Sequence, residues 1–434
     1  MRHVTYCQEW VDACYNKRMW VVMSKTWQRI KTLSHVIGGA AALTATAIAW
    51  RRLDQTAIAL SDSGANVDRA HQGEDAPQIT VVIPARDEAE HITRCVDSLL
   101  EQRLPISAIW VVDDGSIDAT PLLVRALAAQ DARVQMIAGG ACPTGWVGKP
   151  WALQQGIDAA LATQTPQPDH WLLLTDADTW HHPALLSRAY RYAIDHSLDL
   201  LSLAPRMDEP SVWAQLLRAA VGEWYTFYYG ADYAMRADRP DQPAALALGQ
   251  FILVRADRCH MAGGYSTAGV RDALDDDRAF VLRIKKMGGR TGFVQAPTLL
   301  RAEGYRSLGD ALRGHAHHLA PLLGAQRDLP LLSRTAVALD LATLWPFLGM
   351  GQAITAGARH GWRHQMIPLL RWGLQLVATA LVRRRATKLA DLPAWYPLAA
   401  PLGTVIMQGM LVSMLTQRLF FGRGGINWKG RQYD

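Results

Sequence analysis

Between residues 78 and 330 the chain alternates short apolar runs with longer segments of helical periodicity. The predicted strands cover residues 79–83, 108–112, 134–138 and 171–175, and the predicted helices cover 88–103, 118–130 and 150–164. This alternation favours one α/β domain built on a mostly parallel sheet. In such sheets ligands bind beyond the carboxyl ends of the strands. Polar residues that directly follow a strand are therefore the candidates for function.

A different pattern precedes this domain, because residues 33–50 carry no charge and are followed at once by Arg51 and Arg52. In a helix this stretch reaches roughly 27 Å, just enough to cross a bilayer core. We expect a transmembrane anchor here, between a polar and basic extension (1–32) and a polar linker (51–77). A cleaved signal peptide is the alternative, but the long extension and the double arginine favour the anchor.

Three further apolar stretches follow within residues 331–422. They cover 335–358 with one acid, 366–382 with one base (Arg371), and 397–417 with no charge. We predict three more membrane segments, of which the middle one is short enough to lie in the interface instead. The alternative is a buried helical domain of a soluble protein. Residues 423–434 form a basic tail.

Composition and charge agree with a membrane protein. Half of the residues are hydrophobic and 19% are charged, against about a quarter in soluble domains. The net charge of +6 is modest and does not indicate a nucleic-acid partner. The basic run 383–388 lies between two apolar segments, so it should face the cytoplasm, and the α/β domain with it. The basic tail fits this topology poorly.

The five dispersed cysteines indicate neither a disulfide framework nor a zinc site.

Polar residues follow the first two predicted strands. The first strand ends in Pro84, Ala85 and Arg86, and a helix begins near Glu88. The second ends in Asp113 and Asp114, followed by Gly-Ser. A carboxylate at such a turn can accept the imino N–H of a uracil or bind a ribose hydroxyl. Each segment taken alone is equally typical of an ordinary strand-to-helix turn.

A cation and two carboxylates come next along the chain. Lys149 lies in a glycine-bracketed loop just before a helix, a place suited to a diphosphate, although this is not a P-loop. Asp176 and Asp178 directly follow three leucines of a buried strand. Carboxylate oxygens at this spacing can hold one hard cation, Mg²⁺ or Mn²⁺, which would neutralise a departing diphosphate.

The last acidic motif is Asp275-Asp276-Asp277, at the start of a predicted helix. Such acids can simply stabilise the helix N-terminus. As a cluster of like charges they can also raise the pKa of one member, which suits a general base.

Taken together and in this order, these motifs resemble the inverting glycosyltransferase family 2, which has the GT-A fold. The matching segments are Pro84-Ala85-Arg86-Asp87-Glu88, Val112-Asp113-Asp114-Gly115-Ser116, Gly148-Lys149 and Asp176-Ala177-Asp178. The resemblance implies that the first three bind a nucleotide-sugar and that the last binds a metal. Aligning the family's Glu-Asp motif on Arg283 and Gly288 places Asp277 at the base and Asp276 at the Glu, and the choice between them stays open.

Residues 144–152 and 427–433 show a narrower resemblance, to the hopene-associated and carotenoid-acid glycosyltransferases. It implies a UDP-linked donor, a lipid acceptor such as a hopanoid or other terpenoid, and a multi-pass protein of the bacterial inner membrane. Arg313 matches the family's Arg-Trp motif, with His315 at the Trp position, and is a possible contact of the diphosphate or the acceptor. His315, His317 and His318 favour a wetted interfacial helix over a metal site.

An aromatic-rich stretch between residues 213 and 233 has the spacing of a helix at the membrane surface. It can border the entry of a lipid acceptor or serve packing alone. Three other functions compete with lipid glycosylation: a processive polysaccharide synthase, a non-catalytic membrane scaffold, and a nucleotidyltransferase.

Overall fold

The computed structural model of the 434-residue chain describes residues 60, 77–162, 169–229, 246–324, 329–389, 392–421, 426–428 and 431–433. Its strands are Gln78–Ala85 (β1), Ala108–Asp113 (β2), Val134–Ala138 (β3), His170–Leu174 (β4), Thr179–His181 (β5), Leu200–Ala204 (β6), Arg206–Asp208 (β7), Ile252–Arg255 (β8), Thr291–Gln295 (β9), Leu300–Glu303 (β10), Ile426–Trp428 (β11) and Arg431–Tyr433 (β12).

Its α-helices are Ile92–Leu100 (α1), Thr120–Gln130 (α2), Gly148–Ala162 (α3), Leu185–Asp195 (α4), Val212–Tyr229 (α5), Ala256–Ala262 (α6), Asp276–Lys286 (α7), Leu308–Gly324 (α8), Leu329–His360 (α9), Met366–Leu389 (α10) and Tyr396–Phe421 (α11). The four strands and three helices predicted between residues 79 and 175 are confirmed, to within a few residues at their ends.

A seven-stranded sheet in the order β3-β2-β1-β4-β8-β6-β9 forms the centre of the domain. Strands β3, β2, β1 and β4 are parallel, and β6 and β9 are parallel to each other, whereas β8 runs antiparallel to both of its neighbours. The predicted α/β fold with a mostly parallel sheet is thus confirmed. A three-stranded sheet, β5-β10-β7, lies beside it.

The inner strands are buried on both faces, as expected for a sheet covered by helices. In β4 and β6 every residue is buried. One core cluster contains Ile83, Val111 and Leu173 and covers one face, and a second contains Val82, Leu172 and Ile252 and covers the other. This packing holds the carboxyl ends of β1, β2 and β4 along one edge. The direction of β8 brings its amino end to the same edge.

The chain divides into two compact units. One consists of Met1–Ile48 and Ala336–Leu381, and the other of Ala49–Thr335 and Val382–Asp434. Within the second unit, α11 packs against α5, and α8 contacts both. The predicted extension and anchor, and all of the predicted linker except residue 60, lie outside the described residues.

Each of the three predicted C-terminal membrane segments falls within a helix, α9, α10 or α11. Among the described residues, one helix, over Tyr396–Met414, is long and apolar enough to cross a membrane. The described residues therefore do not support the predicted multi-pass arrangement. Within the basic run, Arg383 pairs with an acid of another helix. This side chain is buried against Glu223, with N–O distances of 2.9 and 3.1 Å, rather than turned to water.

Candidate functional site

The loops that follow β1 and β2 are tied together by backbone-to-side-chain hydrogen bonds. The Asp87 backbone N–H donates to the Ser116 hydroxyl at 3.0 Å, and the Ile117 N–H donates to the Asp87 carboxylate at 2.8 Å. Asp87 has a φ of 53°. Asp tolerates this left-handed conformation better than most residues. The two loops therefore act as one unit at the sheet edge.

The predicted nucleotide-binding residues lie in this unit. The Arg86 guanidinium donates to the Asp114 carbonyl at 3.1 Å, and the Asp114 N–H donates to the Ala85 carbonyl at 2.8 Å. The Asp113 carboxylate accepts the Ser116 N–H at 3.2 Å. These contacts fix the positions of N–H donors and carboxylates at the sheet edge, the polar groups that a nucleoside site requires. Pro84 and Glu88 bound it, each half-buried.

Lys149 lies in the first turn of α3 and points into the site. Its Nζ is 2.8 Å from an oxygen of Asp176 and 3.6 Å from an oxygen of Asp277. About a third of the side chain (33%) is exposed, so the ammonium lies in an open cleft. One cation thus joins two motifs that are about a hundred residues apart in the chain.

The Asp176-Ala177-Asp178 turn presents both acids on one side. Asp176 and Asp178 are half-buried, whereas Ala177 between them is buried in the core. Beneath the turn, the Thr179 hydroxyl donates to the Asp176 carbonyl at 2.7 Å. The Glu303 N–H donates to the Asp178 carbonyl at 3.2 Å. The Asp176 carboxylate thus faces Lys149 in the cleft, and Asp178 lies two residues further along the same turn.

Helix α7 begins with Asp276, so the acids at positions 276 and 277 occupy its first turn, as predicted. The Gly249 backbone N–H, just before β8, donates to the Asp277 carboxylate at 2.8 Å. A Cβ atom at Gly249 would lie 2.4 Å from the Lys149 Nζ and 2.7 Å from Asp277. Only glycine fits this position without moving the charged groups.

The charges in this cluster shift one another's pKa. Desolvation alone would lower the pKa of Lys149, but Asp176, Asp277 and Asp276 outweigh it and raise the pKa. Desolvation raises the pKa of Asp277, and Asp176 adds to this, whereas Lys149 and the Gly249 N–H oppose it. Desolvation and Asp277 raise the pKa of Asp276 well above its usual range. Perturbed carboxylates grouped in a cleft are typical of functional sites.

Several buried polar atoms around this cluster have no hydrogen-bond partner among the described residues. They are Asp276 Oδ2, Asp277 Oδ1, Gln250 Oε1 and the Tyr265 hydroxyl. A buried polar atom without a partner costs about 1–3 kcal/mol, so native proteins rarely leave four together. Asp277 Oδ1 has a charged neighbour, the Lys149 Nζ at 3.6 Å, and the other three atoms could be satisfied by water or by a polar ligand at this sheet edge.

The donor set of this cleft fits a hard divalent cation that is shared with a phosphate ligand. Asp176 and Asp178 supply carboxylate oxygens, the ligand type that Mg²⁺ and Mn²⁺ prefer. Across the described residues no three His, Cys, Asp or Glu side chains group to hold a metal by themselves. Mg²⁺ is commonly bound by one or two carboxylates together with substrate phosphates, which matches this pair.

Arg313 is not brought into the cluster. Its side chain is 72% exposed, and its guanidinium pairs with Asp310 one turn earlier on α8. The neighbouring histidines differ from the predicted wetted surface, since His317 is buried and His315 is half-buried. His318 is exposed.

The sequence did not single out Gly249 and Gln250, which precede β8. Functional residues were expected after the carboxyl ends of strands, whereas an antiparallel strand offers its amino end to the same edge. Tyr265 is fully buried and stacks on Phe280 with ring centroids 4.7 Å apart. Its sequence neighbourhood, Gly263-Gly264-Tyr265, is typical of a turn and carries no sign of the buried hydroxyl.

Comparisons with known proteins agree with this geometry. The chain is similar to 4,4'-diaponeurosporenoate glycosyltransferase from Staphylococcus aureus (strain MRSA252), with 30% identity over 129 residues, 29% of this chain and 31% of that protein. It is also similar to the succinoglycan biosynthesis protein ExoO from Rhizobium meliloti (strain 1021), with 34% identity over 140 residues, 30% of this chain and 36% of that protein. The chain thus spans about a third of the length of these relatives.

Among solved structures, the chain resembles the mannosyltransferase PcManGT from Pyrobaculum calidifontis, determined with GDP-Man and Mn²⁺. The two share 18% identity with a TM-score of 0.45, over 89% of this chain and 98% of that one. The family model described as glycosyl transferase family 2 matches residues 80–255, which include β1, β2, α3, the Asp176–Asp178 turn and β8. At the level of the family model, residues 80–255 of this chain are thus similar to glycosyl transferase family 2.

Proposed function

We propose that the protein transfers a sugar from a UDP-linked nucleotide-sugar to a membrane lipid, with inversion at the anomeric carbon. The carboxylates of the β2 loop can accept the imino N–H of a uracil, which supports this donor. One observation carries the proposal. Lys149 lies 2.8 Å from Asp176 and 3.6 Å from Asp277, at the edge where parallel strands end. A cation for the diphosphate and a carboxylate for the acceptor are thereby held side by side.

The donor would bind across the joined loops after β1 and β2. Asp113 or Asp114 accepts a hydrogen bond from the base or the ribose, and Arg86 fixes the loop that carries Asp114. Lys149 stabilises the diphosphate from the first turn of α3. Asp176 and Asp178 would hold a divalent cation, Mg²⁺ or Mn²⁺, which supplies further stabilisation of the leaving charge.

The base is Asp277 rather than Asp276. The Gly249 N–H and Lys149 orient its carboxylate and favour its charged form, whereas Asp276 lies deeper and its pKa is raised further. Asp277 takes the proton from the acceptor hydroxyl or carboxyl as that oxygen attacks the anomeric carbon. The bond from this carbon to the diphosphate oxygen breaks, and the diphosphate departs with the electron pair. In-line attack inverts the configuration.

The acceptor would be a lipid of the hopanoid or wider terpenoid class, in the bacterial inner membrane. Trp213 on α5 is 51% exposed, and on α11 Leu398, Leu402 and Val405 are exposed as well. Exposed apolar side chains on these two packed helices suit contact with a bilayer. The name of the staphylococcal relatives, which refers to a carotenoid acid, supports an acceptor of this chemistry. The catalytic domain would then face the cytoplasm.

The test is a transfer assay with purified full-length protein, radiolabelled UDP-sugars and a membrane lipid extract. Wild-type protein should move label into the lipid phase in a Mn²⁺- or Mg²⁺-dependent manner, and Asp176→Ala should lose this transfer. Asp131→Asn is the matched control, because Asp131 pairs with Arg133 just before β3, away from the carboxyl ends of the strands. Equal transfer by wild-type protein and Asp176→Ala would contradict the proposal.

A second function is favoured by one comparison, the similarity to a succinoglycan biosynthesis protein. In that case the acceptor would be a growing saccharide, carried on a lipid or free. The same assay separates the two functions. Incorporation of several sugars per acceptor, seen as a ladder of products by mass spectrometry, would indicate saccharide assembly, whereas a single addition to a terpenoid would indicate lipid glycosylation.

A further inference from the structure

A buried network of hydroxyl, thiol and imidazole groups lies directly behind the Asp176–Asp178 turn. The side chains come from α1 (Cys95 and Ser98), from the end of β4 (Thr175) and from β5 (Thr179 and His181). All five are fully or almost fully buried. None belongs to the motifs that define the proposed site. A buried polar network is costly unless its members satisfy one another, so this one calls for a physical reason.

The centre of the network is the His181 imidazole. Its Nδ1 lies 3.2 Å from the Ser98 hydroxyl, and its Nε2 lies 3.2 Å from the Thr175 hydroxyl. The His181 backbone N–H also donates to the Ser98 hydroxyl at 3.1 Å. Burial lowers the pKa of His181 to about 3, so the ring is neutral at physiological pH. The imidazole thus joins α1 to the end of β4.

The positions of the protons follow from the shortest bonds. Thr175 has one hydroxyl proton, and its shortest contact, 2.7 Å, is to the Gln250 carbonyl. Because this contact uses the only hydroxyl proton of Thr175, Thr175 can only accept a hydrogen bond from His181. The Ser98 hydroxyl makes its own shortest contact, 2.8 Å, with the Cys95 carbonyl, to which it donates. The hydroxyl protons of Thr175 and Ser98 are thus both directed to backbone carbonyls, which ties the two side chains to the main chain on either side of the imidazole.

The network reaches both halves of the proposed site. On one side the Thr179 hydroxyl, 3.1 Å from that of Thr175, donates to the Asp176 carbonyl at 2.7 Å. On the other side Thr175 holds the Gln250 carbonyl, and the residue before it, Gly249, donates its N–H to Asp277 at 2.8 Å. A single hydroxyl therefore sets the distance between the turn that carries Asp176 and the loop that orients Asp277.

We propose that Thr175 and His181 are positioning residues that hold the Asp176–Asp178 turn and the Gly249–Gln250 loop in the register needed for cation-dependent binding of a nucleoside diphosphate. This inference rests on the proposed function of the site. Neither residue touches the ligand. Their effect would be on the placement of the carboxylates, as is known for groups that orient metal ligands from behind.

The chain supplies a matched control in a second buried pair of the same kind. The Thr80 hydroxyl lies 3.1 Å from His170 Nε2, and both residues are buried. This pair lies in β1 and β4, toward the opposite edge of the sheet from the carboxylates. Thr80→Val and Thr175→Val each remove one buried hydroxyl that faces an imidazole. Thr175→Ser restores the hydroxyl at the position under test.

The experiment is a calorimetric titration of the full-length protein with UDP, in MnCl₂ and then in EDTA, with thermal unfolding of each variant recorded in parallel. The gain in UDP affinity on adding Mn²⁺ should fall about 10-fold or more in Thr175→Val, change less than about 2-fold in Thr80→Val, and recover in Thr175→Ser. Both Val variants should lose thermal stability.

Three other outcomes overturn the inference. An equal Mn²⁺-dependent gain in the two Val variants would show that Thr175 serves stability alone, with the proposed function intact. A loss that Thr175→Ser does not recover would exclude the hydroxyl as its cause. Wild-type protein that binds no UDP with Mn²⁺ would overturn the proposed function and this inference together.

Discussion

Buried acidic residues at the two edges of the central sheet have opposite charge environments. At one edge Asp199 is surrounded by donors: the Arg258 Nε at 3.1 Å, the Arg290 backbone N–H at 2.8 Å and the Arg255 guanidinium at 3.6 Å. At the other edge Lys149 faces three carboxylates, those of Asp176, Asp277 and Asp276. There, buried oxygens of Asp276 and Asp277 have no hydrogen-bond partner among the described residues.

The difference distinguishes charged residues that stabilise the fold from charged residues that bind a ligand. A carboxylate with several donors has its desolvation compensated within the protein. A cluster with more acids than cations is unfavourable by itself and becomes favourable when a cation or a polar ligand enters. If this distinction is right, substitutions at the two edges should affect binding and stability in opposite ways.

The largest effect is expected for Asp277→Asn. Loss of a general base typically reduces the rate 10²- to 10⁴-fold, and the assay is lipid-phase transfer of radiolabelled sugar. The free energy of unfolding should not fall, since the Asn oxygen can still accept the Gly249 N–H while one like charge is removed. Asp276→Asn, at the same helix terminus, is the comparison. If it alone abolished transfer, the base would be Asp276.

Gly249→Ala should come next. The added Cβ would meet the Lys149 Nζ at 2.4 Å and the Asp277 oxygens at 2.7 and 2.8 Å, so the cation or the carboxylate must move. We expect UDP affinity in MnCl₂ to fall on the order of 10-fold, comparable to the loss of one well-placed charged contact. Gly222→Ala on α5 is the control, because a Cβ there meets nothing within 4 Å. Equal UDP affinities in the two variants would contradict the expected clash between the added Cβ atom and the side chains of Lys149 and Asp277.

Much of this site was predictable because its residues follow strands whose identity the sequence makes plain. Three buried leucines predict β4, and parallel packing then carries Asp176 to the edge already occupied by Asp113. Asp276 and Asp277 were placed by a resemblance in motif order, and the structure brings Asp277 to within 3.6 Å of Lys149. The identity and order of the strands were sufficient to predict that the carboxylates of Asp113 and Asp176 lie at the same edge of the sheet.

The rest depended on contacts that no local pattern encodes. Gly249 reaches the site because β8 is antiparallel, and strand direction is set by pairing with β4 and β6 rather than by the sequence of β8 itself. Arg383 was assigned to a basic run beside apolar segments, with no partner foreseen, and Glu223 on α5 pairs with it from 160 positions away. A distant partner can satisfy a charge that composition alone would leave in water.

At the opposite edge, Asp199→Asn should lower the free energy of unfolding by about 2 kcal/mol, because hydrogen bonds to charged groups are lost from a largely buried carboxylate. UDP affinity and sugar transfer should stay within about 2-fold of wild type. Chemical denaturation and calorimetry on the same preparation measure both. A loss of UDP binding without a loss of stability would remove the distinction between the two edges.

The smallest effect concerns Asp275, which precedes α7 and makes no side-chain hydrogen bond to the helix terminus. Desolvation raises its pKa to about 6, and Arg278 only partly offsets this. Because the folded pKa lies above the ordinary value of 3.8, the native state binds the proton more tightly. Its contribution to stability is present below pH 3.8 and is lost as the pH rises through 6.

Asp275→Asn removes this penalty, so the variant should gain stability over wild type as the pH rises from about 4 to about 7, on the order of 1–2 kcal/mol. Thermal unfolding at several pH values measures the gain. Asp131→Asn should show the opposite slope. Hydrogen bonds from Arg133 lower the pKa of Asp131 to about 2, so wild type loses that stabilisation only in acid. Parallel slopes in the two variants would show that burial at the head of α7 does not control the ionisation of Asp275, and that the acidic cluster is more open to water than its contacts indicate.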